Sequence, residues 1–129
     1  MKNNDNSLRN YIESKKRQKE ILEETKKRRL QNTIDDYTKA IKIDPSNARF
    51  YFFRASSKDE QEDYQGAIDD YTKAIELESN SVFIEYFYNR RASAKRKLGD
   101  NKGACEDWKK AAELGSEDAA ELLKKHCEN

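Results

Sequence analysis

Paired acidic residues occur at two places in the chain, where they could act as general acid and base or as ligands for a metal ion. Asp35-Asp36 is followed 34 residues later by Asp69-Asp70. The residues around each pair recur with it, which is typical of a repeated scaffold rather than of one active site. Carboxylates near a helix start are also favoured by the helix dipole. We therefore interpret both pairs as structural.

The other reactive side chains are few. His126 is the only histidine, and it stands beside Cys127, so on a helix the two side chains would point in different directions. Cys105 lies in an apolar stretch and is expected to be a buried thiol. The two cysteines do not make a disulfide framework. Since metal sites and nucleophilic pairs need converging partners, the sequence predicts no enzyme, no metal and no cofactor.

The composition favours exposed helices. Of the 129 residues, 40% are charged, and there are only four glycines and one proline. No stretch approaches the roughly 20 apolar residues that a membrane span needs. The first residues, Met1 to Asn6, contain no apolar stretch that could act as a signal peptide. We expect a cytoplasmic protein without a membrane span.

The charge is distributed unevenly. Residues 1–31 contain ten Lys or Arg against five acids, whereas the whole chain has a net charge of only +1. A solvated helix that keeps the protein soluble is the preferred explanation. The alternative is that the basic segment 9–29 binds nucleic acid or another anionic surface. Its cationic residues are Lys15, Lys16, Arg17, Lys19, Lys26, Lys27, Arg28 and Arg29.

A repeat dominates the middle of the chain. Residues 33–41 return almost unchanged as residues 67–75, and a weaker copy at 104–112 follows 37 residues later. A fixed period of this length predicts helical hairpins, each of which buries its apolar face by stacking on the next. Small residues such as Ala67 and Ala74 would let the helices cross closely, with Tyr71 filling the space beside them.

The pattern resembles the tetratricopeptide repeat (TPR), whose unit combines small, large and turn residues at fixed spacing. The second unit matches it at Ala55, Tyr64, Ala67, Tyr71 and Ala74. The third matches at Ala92, Leu98, Gly99, Ala104, Trp108 and Ala111. In the first unit only the second helix matches, through Tyr37, Ala40 and Asp44-Pro45, with Thr33 where alanine is usual. The resemblance covers about residues 30 to 115.

The resemblance implies an all-α superhelix of about 2.5 to 3 repeat units and a C-terminal capping helix. The units are placed at 1–46, 47–81, 82–115 and 116–129. Seven helices are predicted: 7–27, 30–43, 47–61, 64–77, 82–98, 101–114 and 117–127. Residues 7–43 could instead form one continuous helix, because no Gly, Pro or Asn occurs between Tyr11 and Gln31. The hairpin is preferred because it would cover Leu8, Ile12, Ile21 and Leu22.

The third unit has three additional apolar residues at its start, Val82, Phe83 and Ile84. They are expected to pack on the preceding helix, since apolar residues at helical spacing are usually core. Alternatively, they form a patch for self-association.

In arrays of this kind the first helices of successive units line a concave groove. The expected function is a protein-binding adaptor that holds a peptide or helix with apolar anchors and some acidic residues. The predicted groove residues are Arg49, Phe52, Phe53, Ser56, Tyr86, Asn89, Arg90, Ser93, Arg96 and Lys97. The competing interpretation is that the first helix folds over the aromatic residues and fills the groove.

Chaperone-binding members of the family grip a peptide's terminal carboxylate with cationic and amide side chains. The corresponding positions here are Gln18, Leu22, Phe53, Tyr86 and Arg90. Arg90 alone has the expected chemistry, because phenyl and leucyl groups donate no hydrogen bond to a carboxylate. The sequence therefore argues against such a clamp.

Overall fold

The structure is a computed structural model that describes residues 2–127. Within this range the chain forms six α-helices and no strand. The helices are α1 (Lys2–Ile43), α2 (Ala48–Glu60), α3 (Tyr64–Leu77), α4 (Ser81–Leu98), α5 (Asn101–Glu113) and α6 (Glu117–His126). Each helix packs on the next in chain order, which gives the predicted array of antiparallel hairpins.

Helices α2 to α6 each begin at a polar capping residue whose side chain accepts a hydrogen bond from a backbone N–H of the first turn. These residues are Asn47, Asp63, Asn80, Asp100 and Ser116. The α4 and α5 helices are followed by glycines with φ of 97° and 110°. The turn after α2 uses Glu62 instead, with φ of 66°, so a side chain occupies the left-handed conformation that glycine prefers.

The first helix corrects the prediction of a hairpin, and with it the prediction of seven helices. Arg28 and Arg29 lie inside the continuous helix α1, and their stretch contains no residue that would break it. Residues 2–28 extend past the end of α2 by about 40 Å, at 1.5 Å per residue. The apolar residues that a hairpin would have covered remain exposed: Leu8, Ile12, Ile21 and Leu22.

The core lies between α2 and the helices that follow. One buried cluster gathers Phe52, Ala55, Ala67, Tyr71, Ala74 and Phe87. A second cluster gathers Ala92, Ala104, Trp108, Ala111 and Ala119 beneath α6. The predicted alternation of small and large residues at the helix crossings is confirmed, since the alanines let the backbones approach around the aromatic rings.

An ion cluster holds the second unit together. Arg54 donates from Nε and Nη2 to the two carboxylate oxygens of Asp70, both at 2.7 Å. The Lys58 ammonium lies 3.0 Å from the same carboxylate, and Arg54 also reaches Thr38 Oγ1 at 3.2 Å. The hydrogen bonds to Asp70 raise the pKa of the Arg54 guanidinium. Asp70 therefore connects α3 to α2 and, through Arg54, to α1.

The third unit repeats this cluster. Arg91 donates to both oxygens of Asp107 at 2.8 Å, with Lys95 at 3.1 Å, and its third contact is Thr72 Oγ1 at 3.0 Å. The same position of the first unit is Asp36, which is exposed and has no ion pair among the described residues. The structural interpretation of the acidic pairs is thus supported for Asp70, whose partners come from the preceding helix of its own unit.

A disulfide joins the last two helices, and it corrects the expectation of a free buried thiol at Cys105. Cys105 on α5 is bonded to Cys127 at the end of α6, with their Cα atoms 5.9 Å apart. The two residues meet because α6 folds back along α5. Their separation of 22 residues in the chain gives no sign of this, since proximity depends on the angle between two helices.

Candidate functional site: the concave groove

The groove lies along α2 and α4, the first helices of the two complete units. Phe53 and Tyr86 are its exposed aromatic residues, at 43% and 49% of their full surface. The Phe53 ring stacks on Tyr37 at 5.6 Å, and the Tyr86 ring lies 5.4 Å from Phe52. Each exposed ring is thus supported from behind by another aromatic side chain, which fixes its orientation at the surface.

Phe52 corrects the predicted groove set, because it belongs to the core. It is only 9% exposed, and its ring stacks on Phe87 at 4.8 Å and contacts Tyr71 at 5.7 Å. Phe52 and Phe53 are neighbours on one helix, so a rotation of about 100° separates a buried ring from an exposed one. Both rings were predicted to lie in the groove because the sequence does not reveal where α4 crosses α2.

The polar groove residues are mostly bound within the wall. Asn89 donates to Ser116 Oγ at 2.8 Å, and Arg90 Nη2 lies 3.4 Å from Ser56 Oγ. Burial raises the pKa of the Tyr71 phenol, and the neighbouring Arg90 partly offsets this rise. Asn89 Oδ1 and Arg90 Nε are buried without a hydrogen-bond partner. Arg90 therefore connects α4 to Ser56 on α2 and to Tyr71 on α3.

Cationic side chains flank the aromatic residues. Arg49 is exposed, with its guanidinium 4.8 Å from the ring centre of Phe83. Lys97 lies 3.2 Å from the buried carboxylate of Asp59, and Arg96 beside it is exposed. Arg49 is near the start of α2 and the other two are in the last turn of α4. The groove thus combines an apolar strip with positive charge.

Ser93, Arg96 and Lys97 also line a surface pocket of about 340 Å³, together with Trp108 and Leu122. A larger depression of about 930 Å³ lies outside the groove, between residues 23–32 of α1 and the turn at residues 60–62. Its lining is mainly charged and it is open to solvent, because α1 continues past the end of α2. We therefore place the candidate site in the groove rather than in the larger depression.

The N-terminal half of α1 does not fill the groove, which corrects that competing interpretation. Residues 30–43 contain the buried positions Leu30 and Ile34 that pack towards α2. Gln18 and Leu22, two of the five clamp positions, lie on the exposed projecting part. The predicted clamp positions are therefore not gathered on one surface.

The basic residues predicted as an anionic-partner arm are all exposed on the projecting part of α1. Consecutive residues on a helix point in different directions, so Lys26 to Arg29 surround the helix and do not form a single patch. One of them, Arg29, lies 3.8 Å from Glu60 at the body of the protein. Lys15 lies 5.5 Å from the ring centre of Tyr11.

The apolar start of α4 is divided. Val82 is exposed, whereas Phe83 and Ile84 are half-buried, and Phe83 packs against the first core cluster. Phe83 therefore packs into the core, whereas Val82 stays at the surface.

Neither a metal cluster nor a membrane-spanning helix occurs in the part of the chain that the structure describes. In residues 2–127, no three His, Cys, Asp or Glu side chains gather in a way that could hold a metal ion. None of the described helices is both long and apolar enough to cross a membrane. The groove, with its exposed aromatic residues and flanking cations, is therefore the candidate binding site.

Stacked helical hairpins with an open concave face define this protein as an α-helical repeat module. The tetratricopeptide repeat family model matches residues 48–81. The second TPR domain of human RPAP3, solved in complex with an HSP70 peptide, is 30% identical over 74% of this chain and 79% of that one, with a TM-score of 0.65. The chain belongs to the tetratricopeptide repeat family.

Other solved structures share the fold. The first TPR of Spaghetti (RPAP3), bound to the HSP90 peptide SRMEEVD, is 28% identical, covers 78% of this chain and 79% of that chain, and has a TM-score of 0.67. The Arabidopsis OM64 TPR domain is also 28% identical, covers 78% and 82%, and has a TM-score of 0.68. No curated protein sequence is significantly similar to this chain.

Proposed function

We propose that this protein is a non-catalytic adaptor that binds a peptide or helix of another protein in its concave groove. The proposal depends chiefly on Phe53 and Tyr86, which are large, exposed and held in place by rings behind them. Supported aromatic residues of this kind are the commonest anchors at protein interfaces, because they bury a large area at little cost in side-chain entropy. The peptides bound by its structural neighbours support the same general role.

The flanking charges suggest the chemistry of the partner. Arg49 and Arg96 are exposed and would favour acidic residues beside the apolar anchors, whereas a strongly basic segment would be repelled. Lys97 is already paired with Asp59. We therefore expect a ligand with one or two large apolar side chains and nearby Asp or Glu. Such a ligand would lie against α2 and α4 and need not present its C-terminus.

The ligand is expected to differ from those of the neighbours. The two RPAP3 domains were solved with acidic peptides that end in Asp, SRMEEVD and SGPTIEEVD. In this chain Arg90 is the sole cation at the corresponding positions, and its guanidinium is directed to Ser56 and Tyr71. We infer that carboxylate capture is not the basis of recognition here.

Two further expectations belong to this proposal. Binding of nucleic acid by residues 9–29 gains no support from the structural neighbours. The cations of this segment do not form one patch, so nucleic-acid binding ranks below peptide binding.

We also propose a cytoplasmic location. The Cys105–Cys127 bond counts against this location, since the cytoplasm keeps most such pairs reduced.

The test begins with selection of a peptide from a random display library against the full chain. Binding of the best peptide is then measured by fluorescence anisotropy. Phe53→Ala should weaken it about 30-fold, equivalent to about 2 kcal/mol for a hot spot. Leu114→Ala is the matched control, because Leu114 is similarly exposed but lies outside the groove, and its affinity should not change.

Two results would contradict the proposal. One is an unchanged affinity in both Phe53→Ala and Tyr86→Ala, with melting temperatures close to that of the wild type. The other concerns the SRMEEVD peptide with a free or an amidated C-terminus. Binding that is tight and is lost on amidation would establish carboxylate capture instead.

A further inference from the structure

The first unit lacks the helix that would normally pack against its second helix. In the second unit α3 lies between α2 and α4, and its crossing residues are 0% exposed: Ala67, Tyr71 and Ala74. The matching residues of α1 are only half-buried: Thr33, Tyr37 and Ala40. Of these, Tyr37 contacts α2 through Phe50 and Phe53. The side of α1 that corresponds to the α2-facing side of α3 is therefore uncovered.

Asp36 marks the direction of the uncovered side. Its counterpart Asp70 points to α2 and holds Arg54 and Lys58, so Asp36 points to where the missing helix would lie. Within the described residues it has no cationic partner, although a carboxylate at this position binds two cations in each complete unit. A helix in the vacant position would therefore supply an apolar surface to cover α1 and a positive charge to pair with Asp36.

The uncovered side continues along the whole of α1. Residues spaced alternately by three and four lie on one side of a helix. Steps of three or four residues, with one step of seven between Leu22 and Arg29, connect Asp36 in both directions to others on this side, which gives the set Leu8, Tyr11, Lys15, Gln18, Leu22, Arg29, Thr33, Asp36, Ala40 and Ile43. Its apolar members are among the most exposed in the protein, at 62% for Leu8, 60% for Tyr11, 70% for Leu22 and 86% for Ile43. We call this set the α1 stripe.

The spacing of the α1 stripe is symmetric about the peptide bond between Thr25 and Lys26. If a second α1 lies antiparallel, with a two-fold axis at this bond, every member of the stripe meets another member. The facing pairs are Leu8 with Ile43, Tyr11 with Ala40, Lys15 with Asp36, Gln18 with Thr33 and Leu22 with Arg29.

We propose that the α1 stripe is the interface of an antiparallel homodimer, in which the N-terminal half of each α1 occupies the vacant position of the other chain. In such an isologous interface each contact occurs twice. Lys15 then supplies the cation that Asp36 lacks, and the exposed Leu8 and Ile43 cover each other.

A second copy fits the structure better than a fold-back within one chain. A fold-back requires a sharp turn near Arg28, where α1 is continuous. The straight helix, by contrast, presents the whole stripe to a partner. An unsupported helix in water is only marginally stable, so association also stabilises the projecting part of α1. This exchange of an identical element between two chains is a domain swap.

The test measures the mass of the full chain by light scattering and sedimentation from low micromolar concentration upward. The expected result is twice the mass of one chain. Asp36→Lys should raise the dimer dissociation constant roughly tenfold or more, since two pairs of like charges then face each other. Asp69→Lys is the matched control, because it makes the same charge change at an exposed carboxylate of α3, and it should leave the constant unchanged.

A charge exchange and a cross-link make the test specific. Lys15→Glu combined with Asp36→Lys should restore dimerisation, because the facing charges are again opposite. Thr25→Cys places a thiol at the proposed axis and should form a covalent dimer on mild oxidation. Lys73→Cys, exposed on α3, should not form one.

Three outcomes would overturn the proposal. The first is a monomer at every concentration that can be reached. The second is a dimer that Asp36→Lys leaves intact and that Val82→Asp dissociates, which would assign the interface to the start of α4. The third is an intrachain cross-link between Tyr11→Cys and Ala40→Cys in a monomeric protein, which would establish the fold-back.

Discussion

The segments 33–41 and 67–75 share almost every residue but lie in different surroundings. Tyr71 is 0% exposed and Asp70 holds two cations, whereas Tyr37 is half-buried and Asp36 has no ion pair among the described residues. Helix α3 has α2 on one side and α4 on the other, but α1 packs chiefly on α2. The local sequence determines which face a helix offers, and the neighbouring helices determine whether that face is covered.

The largest contrast is expected at the tyrosines. Tyr71→Ala should lower the free energy of unfolding by about 3 to 5 kcal/mol, because it leaves a cavity beneath α4. Tyr37→Ala should cost distinctly less, since part of the ring is already in water. Urea denaturation of both variants measures the difference, and equal losses would mean that the two segments are equally enclosed.

The aspartates should give the next largest contrast. Asp70→Ala leaves Arg54 and Lys58 without their anion; because both cations retain some contact with solvent, we expect a loss of about 2 to 3 kcal/mol, below the full range for a buried pair. Asp36→Ala should change the stability of the monomer by less than about 0.5 kcal/mol. Melting at high dilution measures both, and a large effect of Asp36→Ala there would contradict the comparison.

A smaller contrast is expected when the alanines at the helix crossings are enlarged. Ala74→Leu should destabilise the fold by about 1 to 3 kcal/mol, because the packed crossing has no room for three more carbon atoms. Ala40→Leu enters the half-covered side of α1 and should be tolerated. Chemical denaturation of the two variants decides the matter, and similar losses would show that the first unit is as tightly packed as the second.

The smallest effect concerns the turn of the second unit. Glu62 has a positive φ, as does Gly99 in the corresponding turn of the third unit. Glu62→Gly should raise the free energy of unfolding by about 1 kcal/mol, since glycine adopts this conformation without steric strain. No gain in the melting temperature would mean that the side chain makes a compensating contact.

Much of the fold could be predicted because local signals agree with one another. Five helices lie within one residue of their predicted bounds, from Ala48 to His126, since capping residues, periodicity and turn glycines all indicate the same ends. The division of the chain into units at 46/47, 81/82 and 115/116 stays a prediction. The hairpin in residues 7–43 was wrong because exposed apolar residues were assumed to need cover within one chain.

The candidate site was less predictable than the fold. Phe53 and Tyr86 are exposed but Phe52 is buried, and helical spacing alone does not distinguish two adjacent rings. That the groove binds a partner stays a prediction. The helical spacing of Phe52 relative to the small and large packing residues could have distinguished it from Phe53. The Arg54–Asp70–Lys58 cluster was also missed, although arginine and lysine four residues apart recur at Arg91 and Lys95.

By itself, the sequence determined the helices, the period of the array and the small and large residues at its crossings, because these depend on backbone propensity and on spacing along one helix. The tertiary structure alone decided which of two nearly identical segments is buried, that Cys105 meets Cys127, and that α1 continues past the body of the protein. Each of these depends on where a second helix lies. Such long-range geometry is a property of the packed chain and not of any one segment in it.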